Sequence, residues 1–295
     1  MRPESLKGVE PLVLSSVGVI GGGTMGAGIA VAALNAGFTV TLIERDEVAV
    51  DRGIHTIDGI LAGSIKRGKL SEAGRAELMA NLGGSTDYDA LRECDLVIEA
   101  VFEEISVKRA VFEKLGRVCR GDAVLATNTS YLDPRLIAAG LPNPERFVGL
   151  HFFSPAHVMK LLEIVPVPET SDIVLATAFA LAKRLGKVPV RAGICEGFIG
   201  NRILKRYRAA AEGLVELGVA IADIDAAMRG YNFKMGPFEA QDLGGLDIAF
   251  LQREGHGRTV KTCRKRSPIF SCAPDARARR PAAAGTIMNR EIASR

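Results

Sequence analysis

The stretch VGVIGGGTMGAGIA, residues 17–30, constrains the fold more than any other part of the chain. A short β-branched run enters a glycine turn and leaves as an apolar helix, and Gly21, Gly23 and Gly26 stand in G-x-G-x-x-G spacing. The first glycine permits a tight turn, the second lets the main chain approach a pyrophosphate, and the third lets the helix pack closely on the strand. Thr24 and Met25 open that helix, whose unpaired N–H groups and partial positive charge suit phosphates. These five residues are therefore expected to hold a dinucleotide. Glu44, at the end of the next strand-like run in VTLIERD, can accept hydrogen bonds from both adenosine ribose hydroxyls and would repel a 2′-phosphate. NAD is the expected cofactor, with the adjacent Arg45 leaving NADP open.

The same alternation continues. SVGVI, FTVTLIE, DLVIEAVF and DAVLATN are strand-like, and between them lie helical patterns at 25–35, after Val48 and at 107–119. Such spacing argues for a parallel sheet with crossover helices on both faces. After KVPVRAG the pattern turns helical only, through GFIGNRILKRYRAAAEGLVELG and IADIDAAM. The expected fold is α/β, a Rossmann-type doubly wound sheet with a second, smaller all-helical domain. A linker over 1–15, a cofactor domain over 16–192, an incomplete helical domain over 193–253 and a basic tail over 254–295 follow from these changes of pattern. The tail, rich in Arg, Ala, Pro and Gly, reads either as a disordered basic segment or as translation of GC-rich DNA in a shifted frame.

GLHFFSPAHVMKLLEIV, residues 149–165, holds two of the four histidines. KLLEIVPV reads as a buried strand, where a carboxylate is costly unless paired, so Glu163 needs a partner. RFVGLHFF is also strand-like and ends at Ser154-Pro155, because proline cannot donate to a sheet ladder. If the two runs pair antiparallel about a loop centred on position 157, His151 stands opposite Glu163 and His157 lies at the loop tip. The pairing selects His151.

No apolar run approaches the roughly 20 residues of a bilayer-spanning helix. The N-terminal MRPESLKGVEPLVLSS has too short an apolar centre, Leu12 to Leu14, for a secretory signal. A cytoplasmic protein without membrane association is expected. The five cysteines show no CxxC spacing, so neither a metal site nor a disulfide framework is suggested. The net charge of +4 arises at the end of the chain: residues 251–295 carry eleven basic and three acidic groups, and the remainder is mildly acidic. No nucleic-acid partner is expected.

GGGTMGAGIA, VIEAVFE, TNTS, HFFSPAHVMKLLE, GFIGNR and FKMGPFEAQDLGGLD, taken in order over about residues 16–253, resemble the motifs of the 3-hydroxyacyl-CoA dehydrogenase family, especially the dehydrogenase part of multifunctional fatty-acid oxidation enzymes. The resemblance implies NAD-dependent oxidation of a 3-hydroxyacyl-CoA, with His151 as general base and Glu163 orienting it. It implies that Ser130 contacts the reacting oxygen and the nicotinamide region, and that Asn201 contacts substrate. For these two, an N-cap and a turn role are the structural alternatives. Glu103, Lys108, Asn128 and Ser154 match positions lining the nicotinamide half of the cofactor site, and a family-like homodimer is implied. Lys66, Arg67 and Lys69 read either as contacts for CoA phosphates or as a solvated helix face. Family members continue the helical domain beyond position 253, which leaves a catalytically silent NAD-binding protein as a rival reading. A dehydrogenase of a free hydroxy acid on the same scaffold is another. Glu44→Ala is expected to weaken NAD binding and narrow the preference over NADP, because ribose hydrogen bonds and 2′-phosphate repulsion are lost together. The ratio of kcat/KM for NADH and NADPH measures this, and an unchanged ratio would place the discrimination elsewhere.

Overall fold

The structure, a computed structural model, describes residues 3–244; the expectations for the tail over 254–295 and for the end of the helical domain lie outside the described residues. The chain divides into two compact units between Arg202 and Ile203.

The first unit is built on eight strands: β1 (Ser16–Ile20), β2 (Thr39–Ile43), β3 (Leu82–Ser85), β4 (Leu96–Glu99), β5 (Val124–Thr127), β6 (Phe147–Phe152), β7 (Leu161–Pro166) and β8 (Val188–Arg191). They form one sheet in the order β3-β2-β1-β4-β5-β6-β7-β8. Neighbours from β3 to β6 pair in parallel, β7 runs antiparallel to β6, and β8 is parallel to β7. The sheet is thus mixed where the strand alternation alone suggested a parallel one. The helices among the described residues of this unit are α1 (Thr24–Asn35), α2 (Glu47–Lys66), α3 (Glu72–Ala80), α4 (Ile105–Val118), α5 (Pro134–Ala138), α6 (Asp172–Arg184) and the start of α7 (Gly200–Glu216).

Both sheet faces are buried, as parallel sheets require. Alternate residues of one strand serve opposite faces: Val17 and Val19 of β1 join α1, α2 and α6 in one apolar cluster, while Ile20 joins α4 and α5 in the other. The same alternation separates Leu96 and Ile98 from Val97, and Val124 and Ala126 from Leu125. Helix α1 is buried over almost its whole length, Gly26 to Leu34, and lies at the centre. Helix α4 buries a single stripe, Lys108, Val111, Phe112 and Leu115, and Phe112 meets Phe147 of β6 edge to face at 5.0 Å.

The region after Lys66 adds elements that the sequence reading did not anticipate. The long helix expected there is α2, and beyond it come α3 and the edge strand β3, whose sequence LGGS lacks any β-branched residue. Ser71 caps the start of α3 by accepting from the Gly74 amide.

In the second unit, the rest of α7 is followed by α8 (Ile221–Gly230) and α9 (Pro237–Gly244). Ala211, Ile224 and Phe238 make its small core, and the buried Asp225 accepts from the Phe238 and Glu239 amides at the start of α9. Among the described residues no helix is long and apolar enough to cross a membrane, and no group of three or more His, Cys, Asp or Glu could hold a metal ion.

The turn after β1 uses its glycines differently. Gly21 adopts φ +96°, a left-handed conformation, and a Cβ on Gly26 would stand 1.7 Å from the Gly21 carbonyl oxygen. Gly26→Ala is expected to destabilise the protein by about 2 kcal/mol or more through overpacking. Gly59→Ala, on the exposed side of α2 with nothing within 4 Å of the new methyl, is expected to stabilise it by about 0.5–1 kcal/mol. Urea unfolding of both variants checks the opposite signs.

Candidate active site

Strand order reverses between β1 and β4, and ligands of open α/β sheets bind in the crevice that such a reversal opens at the carboxyl ends of the strands. The glycine turn follows β1 at this edge, Glu44 follows β2, Glu99 ends β4, Asn128 and Ser130 follow β5, and His151 lies one residue before the end of β6. One edge of the sheet therefore gathers most of the residues singled out in the sequence.

The glycine turn suits a dinucleotide. Gly23 is exposed, and a Cβ placed on it would meet nothing within 4 Å, so the main chain there is open to a close approach. Gly23 also caps α1 without any side-chain hydrogen bond, which leaves the first N–H groups, at Thr24 and Met25, available to an anion. Glu44 is held beside this turn: its Oε1 accepts from the Gly22 amide at 2.8 Å and its Oε2 from the Arg45 amide at 3.0 Å. The Arg45 guanidinium pairs with Asp46 at 3.0 Å.

His151 and Glu163 are direct partners in the β6–β7 register, and His157 lies in the connecting loop. Glu163 is 0% exposed and His151 3%. The Nδ1 of His151 is 2.6 Å from Glu163 Oε2, while Oε1 accepts from the amides of Ile199 and Gly200 at 3.0 and 2.7 Å. Burial pushes the Glu163 carboxyl up, but the bond to His151 and the two amides outweigh it and hold the group below its usual range. A carboxylate facing Nδ1 makes that nitrogen the donor, so the free lone pair of a neutral His151 sits on Nε2. The ring is enclosed by Phe153 and Phe198, with centroids at 4.5 and 5.5 Å. Phe198 has φ +47°, which is strained for a bulky residue, and this conformation lies immediately before the two amides that Glu163 binds. Those amides precede Asn201, which lies in the first turn of α7.

His157 is half-buried, and burial together with the charges of Arg67 and Lys187 lowers its pKa; its Nδ1 is buried without a partner. Lys187, itself buried, donates to the Met159 carbonyl at 2.7 Å and so ties down this loop.

Ser130 caps no helix, since α5 is capped by Asp133. Its amide donates to Glu103 Oε1 at 2.8 Å, alongside the Thr129 hydroxyl at 2.6 Å and the Tyr131 amide at 3.0 Å. Although burial opposes it, the Lys108 charge and these bonds keep Glu103 below the usual carboxylate range. Asn128 accepts from the Phe152 amide at 3.0 Å and so joins the end of β5 to the residue beside His151. Ser154 precedes a cis proline where β6 gives way to the loop.

Two groups of expected residues stand differently. Lys108 is 0% exposed, with its ammonium 2.7 Å from Glu99 and 3.3 Å from Glu103, so it faces two carboxylates rather than an open cleft. Lys66, Arg67 and Lys69 are exposed at the end of α2, and no bond among the described residues joins Lys66 or Lys69 to the group around His151. Sequence reasoning passed over Glu99, Thr129, Phe153 and Phe198. For Glu99 the signal was present, because it too is a carboxylate inside an apolar run, DLVIEAVF.

The family model described as 3-hydroxyacyl-CoA dehydrogenase, NAD binding domain, matches residues 16–195, and the model for the C-terminal domain of that family matches residues 197–277. The second match passes position 253, where the motif resemblance ends. The peroxisomal bifunctional enzyme of Cavia porcellus is 40% identical over 255 residues, covering 86% of this chain and 35% of that protein. The chain thus spans about a third of the length of the curated relatives it matches. Among solved structures, 3-hydroxybutyryl-CoA dehydrogenase from Escherichia coli K12 is 42% identical with a TM-score of 0.77, covering 81% of this chain and 51% of that one. FadB2 of M. tuberculosis is 38% identical with a TM-score of 0.77, covering 80% and 84%. The cytoplasmic expectation is corrected by these comparisons, since the curated relatives are named as peroxisomal or glyoxysomal enzymes. An apolar leader is an address for the secretory route alone, whereas peroxisomal addresses are short peptides read by receptors.

The lowered pKa of Glu163 sets a pH window. A carboxyl ionised more readily in the folded protein contributes stability above its unfolded value, about 4.5, and that contribution is lost as pH falls through the lower folded value. Glu163→Gln is expected to flatten the fall of Tm below about pH 4.5, as calorimetry at a series of pH values would measure. An unaltered slope would show that the buried carboxylate is not ionised.

Proposed function

The chain belongs to the 3-hydroxyacyl-CoA dehydrogenase family, and from that premise we propose that it oxidises an (S)-3-hydroxyacyl-CoA to the 3-oxoacyl-CoA in fatty-acid β-oxidation. The buried His151–Glu163 pair at the cofactor edge of the sheet is the observation that carries this reading. NAD+ supplies the acceptor for the hydride leaving C3. His151 accepts the hydroxyl proton at Nε2 as the C3–H bond breaks and the carbonyl forms, and Glu163 stabilises the resulting imidazolium while fixing the ring.

Ser130, fixed through its amide, presents its hydroxyl to the reacting oxygen and the nicotinamide region, and Asn201 contacts substrate. Asn128 and Ser154 line the nicotinamide half of the cofactor site with Glu103, while Lys108 acts through Glu103. Gly21, Gly23, Thr24, Met25 and Gly26 hold the pyrophosphate and Glu44 the adenosine ribose. Lys66 and Lys69, with Arg67, meet the phosphates of CoA.

The direct test is NADH oxidation by the purified protein with acetoacetyl-CoA, beside the corresponding free acid. NADH binding without turnover would favour a silent NAD-binding protein, and turnover of the free acid alone would favour a hydroxy-acid enzyme. His151→Gln is expected to lower kcat by about 10²–10⁴-fold with NADH affinity nearly unchanged. His157→Gln is expected to do little, and equal effects from the two would refute the choice of base.

A further inference from the structure

Glu99 has no part in the reaction as described, yet it is 0% exposed and occupies the last position of β4, at the strand-order reversal. Its Oε1 receives the Lys108 ammonium at 2.7 Å and the Val101 amide at 2.8 Å, and its Oε2 receives the Thr127 hydroxyl at 2.6 Å. The same ammonium reaches Glu103 Oε2 at 3.3 Å. The other oxygen of Glu103 accepts from Thr129, Ser130 and Tyr131. A continuous series of charge-assisted contacts therefore runs from β4 through α4 to the loop that carries Ser130.

We infer that Glu99 is a positioning residue for the Ser130 loop, acting through Lys108 and Glu103. A single buried ammonium shared by two carboxylates lies close to one and farther from the other. The longer contact leaves Glu103 Oε1 available to three donors of the loop. With Glu99 neutralised, Lys108 would have Glu103 as its one anionic partner, and ammonium–carboxylate pairs close to about 2.7–2.9 Å. Glu103 would then be drawn toward α4 and its loop contacts would lengthen. The Glu99 main chain supports the same edge, since its carbonyl accepts from the Asn128 amide at 2.8 Å and Asn128 in turn holds Phe152. A purely structural role, that of a counter-ion in the core, would affect the whole unit without singling out this loop. The part of Ser130 in the reaction rests on the proposed function; the placement of its loop does not.

Two variants of the full chain test this. Glu99→Gln removes the charge, and Thr127→Val removes one hydrogen bond to Glu99 while leaving every charge in place. Amide hydrogen exchange of the protein without added cofactor is followed by NMR. In Glu99→Gln, exchange at Ser130 and Tyr131 is expected to rise about tenfold or more while β1 and β2 amides stay within about twofold. Thr127→Val is expected to act in the same direction by a smaller factor, and it decides the matter alone if Glu99→Gln fails to fold. Unchanged exchange at Ser130 and Tyr131, or a rise matched in β1 and β2, would overturn the inference. In the acetoacetyl-CoA assay, each variant that folds is expected to lower kcat in the wild-type background by a larger factor than in Ser130→Ala, because both changes act through one group. Equal losses in the two backgrounds would also overturn it. If the wild-type protein shows no turnover, the proposed function falls and the exchange measurement still decides this inference.

Discussion

A carboxylate sealed inside a strand fixes the geometry around the candidate active site. Glu163 cannot be left in β7 without partners, because an unpaired buried charge costs several kcal/mol in real proteins. It takes three donors from two places, an imidazole on the adjacent strand and two amides at the opening of α7. Meeting both demands at once dictates the β6–β7 register and the point at which α7 begins. It also brings the strained main chain at Phe198 beside the pair, with the Phe198 ring against His151. What looks like a device for orienting one histidine is equally the anchor for the segment that presents Asn201.

A second buried carboxylate works the other side of the same edge. Glu99 and Glu163 are both enclosed, yet their partners differ: Glu163 meets an imidazole and Glu99 a lysine ammonium. An imidazole offers a second ring nitrogen beyond the one its carboxylate holds, whereas an ammonium is a donor only and ties its carboxylates together. The division of labour follows from partner chemistry, since the carboxylates themselves are alike. Between them, Asn128 bonds the end of β5 to β6, so neither group is mechanically separate from the other.

The parts of this arrangement that were legible in the sequence are those set by local pattern. The β1-turn-α1 unit is contiguous, and the His151–Glu163 pairing follows from a short loop whose midpoint fixes the register. The edge strand β3 was illegible because two glycines out of four residues give no strand propensity; it exists because β2 offers a free edge and α3 delivers the chain there. The two carboxylate partners of Lys108 were missed for a different reason. It shares helical spacing with Val111, Phe112 and Leu115, so it belongs to the buried stripe of α4, but a motif match directs attention to ligands instead of periodicity. A lysine on an apolar stripe and a glutamate in an apolar strand each demand a partner, and together they predict one another. Phe198 carried no such signal, because positive φ at a bulky residue is imposed by tertiary structure.

The reversal of strand direction after β6 is what brings His151 and Glu163 together. Had β7 continued the parallel pattern, its chain would have crossed the sheet and begun at the opposite edge, and a residue one step from the end of β6 would have faced the far end of its neighbour. The hairpin instead returns the chain at once, so that a carboxylate near the start of β7 meets a histidine near the end of β6 at the edge where the glycine turn lies. The connecting loop is seated on the cofactor-side helix: a Cβ on Gly28 of α1 would stand 3.1 Å from that of Ala156. Glycine at position 28 thus allows the loop between His151 and Glu163 to rest on the same helix that the glycine turn opens. The glycine turn and the His151–Glu163 pair share one packed element, and their relative placement is fixed by that packing.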